Sequence, residues 1–156
     1  MSTLRGWVLA GWAAILFCGA AQPLAGDSAS NTGEFAAVLA HNSCAPWDGP
    51  AVAFEFYTSP TRCGQAKSAR LNINLWRDLP LKAGKKFELA RGTTAGAASL
   101  CARENQCEAA VSGTVWIEDV RADKSVSGRY ELVFQKAGRL AGKFRAEWCR
   151  THELCR

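Results

Sequence analysis

Histidine is nearly absent: the 156-residue chain has only His41 and His152. Imidazole is the usual general base and the commonest metal ligand, so sites built on it have little to draw on. His41 lies close to Ser43 and Asp48, but residues so near in sequence seldom converge on one reacting atom without a scaffold to aim them. The three read as loop polarity. A long apolar run is missing too: the N-terminal stretch Trp7 to Ala21 has fifteen residues, short of the roughly 20 that a bilayer-spanning helix needs. There is no long basic run, no zinc-finger spacing and no aromatic-basic RNA-binding motif, which removes nucleic acid from the expected partners. The closest cysteines have five residues between them, wider than structural zinc sites favour, so no metal and no cofactor is expected. Internal repeats and low-complexity segments are absent.

What is present begins with export. Arg5, the apolar run and the small residues around Ala20, Ala21, Ala25 and Gly26 form a signal-peptide pattern over 1–26. Residues 27–33, DSASNTG, read as a flexible lead-in, and 34–156 as a single disulfide-stapled domain. Lipid anchoring through Cys18 is the minor alternative, because Phe17 stands where lipoprotein processing wants a small side chain. Cleavage would leave no membrane span and a formal charge of +4, against +5 for the whole chain. It would also leave six cysteines, Cys44, Cys63, Cys101, Cys107, Cys149 and Cys155. An even count outside the cytoplasm implies three disulfides. Nearest-neighbour pairing is expected: Cys44 with Cys63, Cys101 with Cys107, Cys149 with Cys155.

From Glu108 to Cys149 apolar residues fall at every second position across three segments, the signature of an antiparallel meander with one buried face. Closing Val120 onto Ser125 sets Ile117 beside Gly128, Val115 beside Tyr130, Gly113 beside Leu132 and Val111 beside Phe134. Asp119 is then a misfit on the inner face. A turn at Lys136-Ala137-Gly138 pairs Gln135 with Arg139, which sets Leu132 against Gly142, Tyr130 against Phe144 and Val126 against Trp148. Further strands are expected at Val52–Tyr57, Leu71–Trp76, Phe87–Leu89 and Ala97–Cys101, and Phe35–Leu39 reads as a first strand, with one turn of helix as the alternative that Ala36, Ala37 and Ala40 keep open. The turn-rich stretch 41–50 reads as a connection, and Cys101–Cys107 as a pinned loop. About seven short strands separated by turns specify an all-β fold, a small antiparallel β-sandwich or barrel.

That register also fixes the outer face of the meander. Trp116, Arg129 and Arg145 form one row; Thr114, Glu131 and Lys143 the next; Glu118, Ser127 and Glu147 the third. Arginine opposite arginine costs stability unless an anion compensates. The set Trp116, Arg129, Arg145 and Lys143 is therefore a candidate site for a carboxylate, a phosphate or an acidic envelope sugar. Of the carboxylates Asp48, Glu55, Asp78, Glu88, Glu118 and Asp119, no spacing selects a catalytic pair. Trp47, Trp76 and Trp116 suit sugar binding as well as packing. The expected function is a non-enzymatic binding module outside the cytoplasm, with a protein or anionic glycan as partner. A small secreted hydrolase, or an inhibitor acting through the Cys101–Cys107 loop, are the alternatives.

Overall fold

The computed structural model describes residues 35–65, 67–103, 106–150 and 155. The expected signal peptide and lead-in, and His152, lie outside the described residues. Within them are eight strands and no helix: β1 (Ala37–Cys44), β2 (Pro50–Tyr57), β3 (Leu71–Leu75), β4 (Lys86–Ala90), β5 (Gly96–Arg103), β6 (Gln106–Arg121), β7 (Ser125–Phe134) and β8 (Gly138–Cys149). Hydrogen bonding runs β6-β5-β3-β2-β1-β8-β7 and returns to β6, so seven strands close a barrel and β4 is one extra. The sixteen-residue β6 accommodates both neighbours on one edge. Its beginning pairs with β5 and its middle, Ser112–Trp116, with β4.

A ring of seven strands cannot be antiparallel throughout, because directions must alternate. The one parallel contact is β1 with β8, and it spans only Leu39–Glu147, Ala40–Trp148 and His41–Cys149. Parallel pairing is slightly weaker per residue, so this is the thinnest part of the wall. It is also where two of the disulfides sit. Cys44 is joined to Cys155 and Cys63 to Cys149, while Cys101 is joined to Cys107. Nearest-neighbour pairing therefore holds for one bridge and fails for the other two. The physical reason is closure: the barrel brings the first and last strands together, so Cys44 meets the end of the chain and not Cys63. Segment 58–70 folds back outside the seam, where Ala37 and Ala69 pack on Leu39, Tyr57 and Cys149.

β1 continues through His41 and Ser43, which leaves only Ala45–Gly49 as the turn. The sequence reading ended this strand too early because HNSC is polar. All four nevertheless pair with β2, and His41 with β8 as well, which holds them in the strand. Cys101 and Cys107 face each other across the β5–β6 hairpin and are bridged, as expected, while 104–105 lie outside the described residues.

In the meander the faces are as expected and the register is partly so. Ile117–Gly128, Val115–Tyr130 and Gly113–Leu132 pair as read from sequence. β-bulges then offset both ends, between Ala110 and Ser112 and between Ile117 and Asp119. The second bulge resolves the Asp119 misfit. It turns Asp119 out to Arg121, with Nε to Oδ2 at 3.2 Å, and lets Val120 pack against the core. Between β7 and β8 the pairing is displaced by two residues from the expected one: Leu132 faces Leu140, Tyr130 faces Gly142 and Gly128 faces Phe144. A shift of two keeps every side chain on its face. Packing selects it, because each ring now lies over a glycine. A Cβ at Gly142 would sit 2.8 Å from the Tyr130 hydroxyl, and one at Gly128 about 3.0 Å from the Phe144 ring.

The barrel interior is filled. Phe54, Phe56, Tyr130 and Phe144 form a ring cluster with Leu71, Ile73, Leu75, Val115 and Leu132 around it. Burial raises the Tyr130 hydroxyl to about 12, since the ionised form would lose its hydration there.

The β7–β8 turn is held from outside by Glu108, whose carboxylate accepts the Lys136 N–H at 2.5 Å and the Ala137 N–H at 3.2 Å. Glu108→Ala is expected to cost about 1 kcal/mol, because water replaces these bonds in part. Faster amide exchange at Lys136 and Ala137 is the local readout, and unchanged exchange there would remove this role.

Candidate anion-binding face

Outer-face positions of β4, β6, β7 and β8 carry the candidate residues. The rung at Trp116 runs Lys86, Trp116, Arg129, Lys143, each residue paired with the next across adjacent strands. Sequence reasoning named three of these and missed Lys86, because the β4–β6 contact has no local turn to reveal it. Arg129 lies flat on its neighbour, with Cζ 3.8 Å from the Trp116 ring centroid. The cation meets the negative face of the indole, which holds the guanidinium in a defined plane. Its Nε is 3.5 Å from Glu118 Oε1, and its side chain remains 41% exposed.

Arg145 is placed differently from the expectation. The two-residue displacement of β8 puts it opposite Ser127, and Lys143 takes the position facing Arg129. Arg145 is now the diagonal neighbour of Arg129, one step along the same face of β8. It also lines a groove of about 510 Å³ whose wall includes Arg62, Arg121, Lys124 and Glu147. Glu131 changes partner for the same reason. It stands opposite Ala141 and not Lys143, and pairs with Arg139 at 2.5 Å.

The face carries both signs, with Glu88, Glu118 and Glu131 paired to Lys86, Arg129 and Arg139. Lys86 donates to Glu88 at 2.7 Å, and that bond, reinforced by the ammonium charge, holds the Glu88 carboxyl below its ordinary range. Glu118 is shared with Arg129. Lys143 forms no ion pair among the described residues. Like charges facing each other across β7 and β8 repel, and a bound anion would relieve that repulsion. Forked N–H groups of Arg129 can hold two oxygens, with Lys143 as a point charge beside them.

Two of the other carboxylates have a cation beside them. Asp78 is 3.8 Å from Lys85, and Asp119 is paired with Arg121. His41 belongs with a residue that sequence reasoning did not give it. Its Nδ1 is 3.9 Å from Glu55 Oε2, which also accepts the Tyr57 hydroxyl at 2.5 Å. Burial first, then that hydrogen bond and the charge of Glu55, push the Tyr57 hydroxyl far above its ordinary range. The β1–β2 register sets Leu39 opposite Glu55 and His41 one rung along, an adjacency that reading 41–50 as a connection conceals. Among the described residues no group of three or more His, Cys, Asp or Glu side chains could hold a metal.

The fold and this face define a closed, disulfide-pinned β-barrel with a basic, tryptophan-backed outer wall. No protein-family model matches the chain, and no curated protein or solved structure is significantly similar to it.

Proposed function

We propose that the chain is an exported, non-enzymatic binding module that works in the cell envelope or extracellular space and engages an anionic ligand or envelope polymer. One observation carries the reading: Arg129, seated on Trp116, faces Lys143 across a strand pair, with Arg145 on the diagonal. Three disulfides suit an oxidising compartment. No helix among the described residues is long and apolar enough to cross a membrane.

The test is titration of the oxidised protein with polygalacturonate, repeated at high salt as control. Arg129→Ala with Lys143→Ala is expected to weaken polygalacturonate binding by roughly tenfold to a hundredfold at low salt, the scale of one charge-assisted hydrogen bond, since solvent screens two groups this exposed. Lys143 is exposed and Arg129 half-buried on Trp116, so thermal melting should fall by only a few degrees, through loss of the Trp116 and Glu118 contacts. Arg77→Ala with Arg91→Ala removes the same charge elsewhere and separates a built face from total charge. Equal weakening by the two double variants, or none by the first, would end the proposal.

A further inference from the structure

The wall formed by β1, β2, β3 and β5 carries a second set of outward groups that the anion reading leaves unused. Register places them in rungs. Glu55, Asn72 and Ser99 share one with Leu39, and His41 and Asn74 share the next with Ala53 and Ala97. Each alternates with a core residue, Ala40, Phe54, Ile73 or Ala98, and so faces out. At the end of this ladder the Trp76 N–H donates to the Ala95 carbonyl at 2.9 Å, which carries the β3–β5 pairing one residue further.

Trp76 meets Trp47 edge to face, with centroids 5.4 Å apart and planes at 83°. Trp47 is 50% exposed, the most exposed large hydrophobic side chain among the described residues. It is nonetheless held in place. The Ala45–Gly49 turn is closed by Ala45 N–H to Gly49 carbonyl at 2.8 Å, and the indole lies so close over Gly49 that an added Cβ would be 2.6 Å from Nε1. An indole kept half in water yet fixed on two sides is a ready platform.

The polar groups beside it are oriented as well. Both contacts of Glu55, from Tyr57 and His41, fall on Oε2, so Oε1 keeps its acceptor capacity. Asn74 offers a paired donor and acceptor and Ser99 a hydroxyl, while Asn72, one N–H of which is turned to Cys101 Sγ at 3.9 Å, keeps its carbonyl and its second N–H. These groups select among ligands. An anion would meet Glu55, whereas a purely apolar molecule would strip water from two carboxamides without replacing it. A cation would find one carboxylate already shared with His41. A neutral polyol ring matches: its C–H face rests on the indole, and its adjacent hydroxyls give and take hydrogen bonds from Asn and Glu.

We propose that this face binds a neutral glycan, with one sugar ring on Trp47, backed by Trp76, and the adjoining sugars on Asn74, Glu55 and Asn72. It is a separate site from the basic wall, and neither reading depends on the other.

Affinity electrophoresis of the oxidised protein tests it, in gels containing hydroxyethylcellulose, xylan, galactomannan or dextran. Retardation on at least one polysaccharide is expected. Trp47→Ala and Asn74→Ala should each weaken it about tenfold or more. Gly49→Ala, which keeps the indole but displaces it, should weaken it as well. Arg129→Ala with Lys143→Ala should leave it unchanged. Migration unaffected by all four polysaccharides would overturn the proposal, as would a Trp47→Ala protein that binds like the parent.

Discussion

Loss of the Cys63–Cys149 bridge, by Cys63→Ala with Cys149→Ala, is expected to lower unfolding free energy by about 3 to 4 kcal/mol. The two long bridges are nested: Cys44–Cys155 spans 111 residues and Cys63–Cys149 spans 86. Taken alone, either would remove roughly 4.5 to 5 kcal/mol of chain entropy from the unfolded state. Once Cys44–Cys155 is closed, however, the second bridge closes only the ring made by 44–63 and 149–155. That ring has on the order of 25 to 30 residues, which gives the smaller figure. Full reduction should therefore cost about 8 kcal/mol from this pair, comparable to the typical total of about 5 to 15. The loss falls on a seam of three residue pairs, which has little else to hold it. Guanidinium chloride unfolding with and without dithiothreitol measures the effect. Amide exchange should speed up first at Leu39–His41 and Glu147–Cys149. A double variant as stable as the parent would mean that the seam does not limit this barrel.

How far the sequence revealed this arrangement depended on whether a contact was local. β6 and β7 are joined by a short turn, so the alternation of Val115 and Ile117 against Gly128 and Tyr130 gave their register directly. It also gave the Trp116–Arg129 contact. β7 and β8 were harder, because a shift of two residues leaves the hydrophobic pattern intact. Only the steric need to seat Tyr130 and Phe144 over glycines decides it, and that need moved Arg145 off the Trp116 rung. Bulges leave no pattern of their own, although Asp119 on a greasy face was the trace of one. The β1–β8 seam left no trace at all: it joins the two ends of the domain by three residue pairs, with no turn between them. Pairing cysteines by nearness fails at that point, because the seam brings the end of the chain to Cys44. The Glu55–His41–Tyr57 group is hidden for another reason: it exists only once β1 runs on through His41 beside β2.

Phe56→Ala should cost about 3 to 5 kcal/mol, the largest loss expected from any single side chain here. Phe56 is fully buried on β2, and its ring packs on Phe35 at 5.1 Å, Tyr130 at 5.4 Å and Phe144 at 5.6 Å. Tyr130 and Phe144 belong to β7 and β8, so this ring spans the lumen and ties the β2 wall to the meander. Two effects add on its removal: lost transfer free energy and a cavity that a closed barrel cannot easily collapse around. Phe56→Leu restores most of the volume and should cost only about 1 to 1.5 kcal/mol. The ratio between the two variants, read from denaturant midpoints at unchanged slope, separates packing from a general intolerance of substitution. A cost below about 1.5 kcal/mol for Phe56→Ala would show that the lumen closes over the gap. The barrel would then be held by its disulfides and edges, and not by its aromatic core.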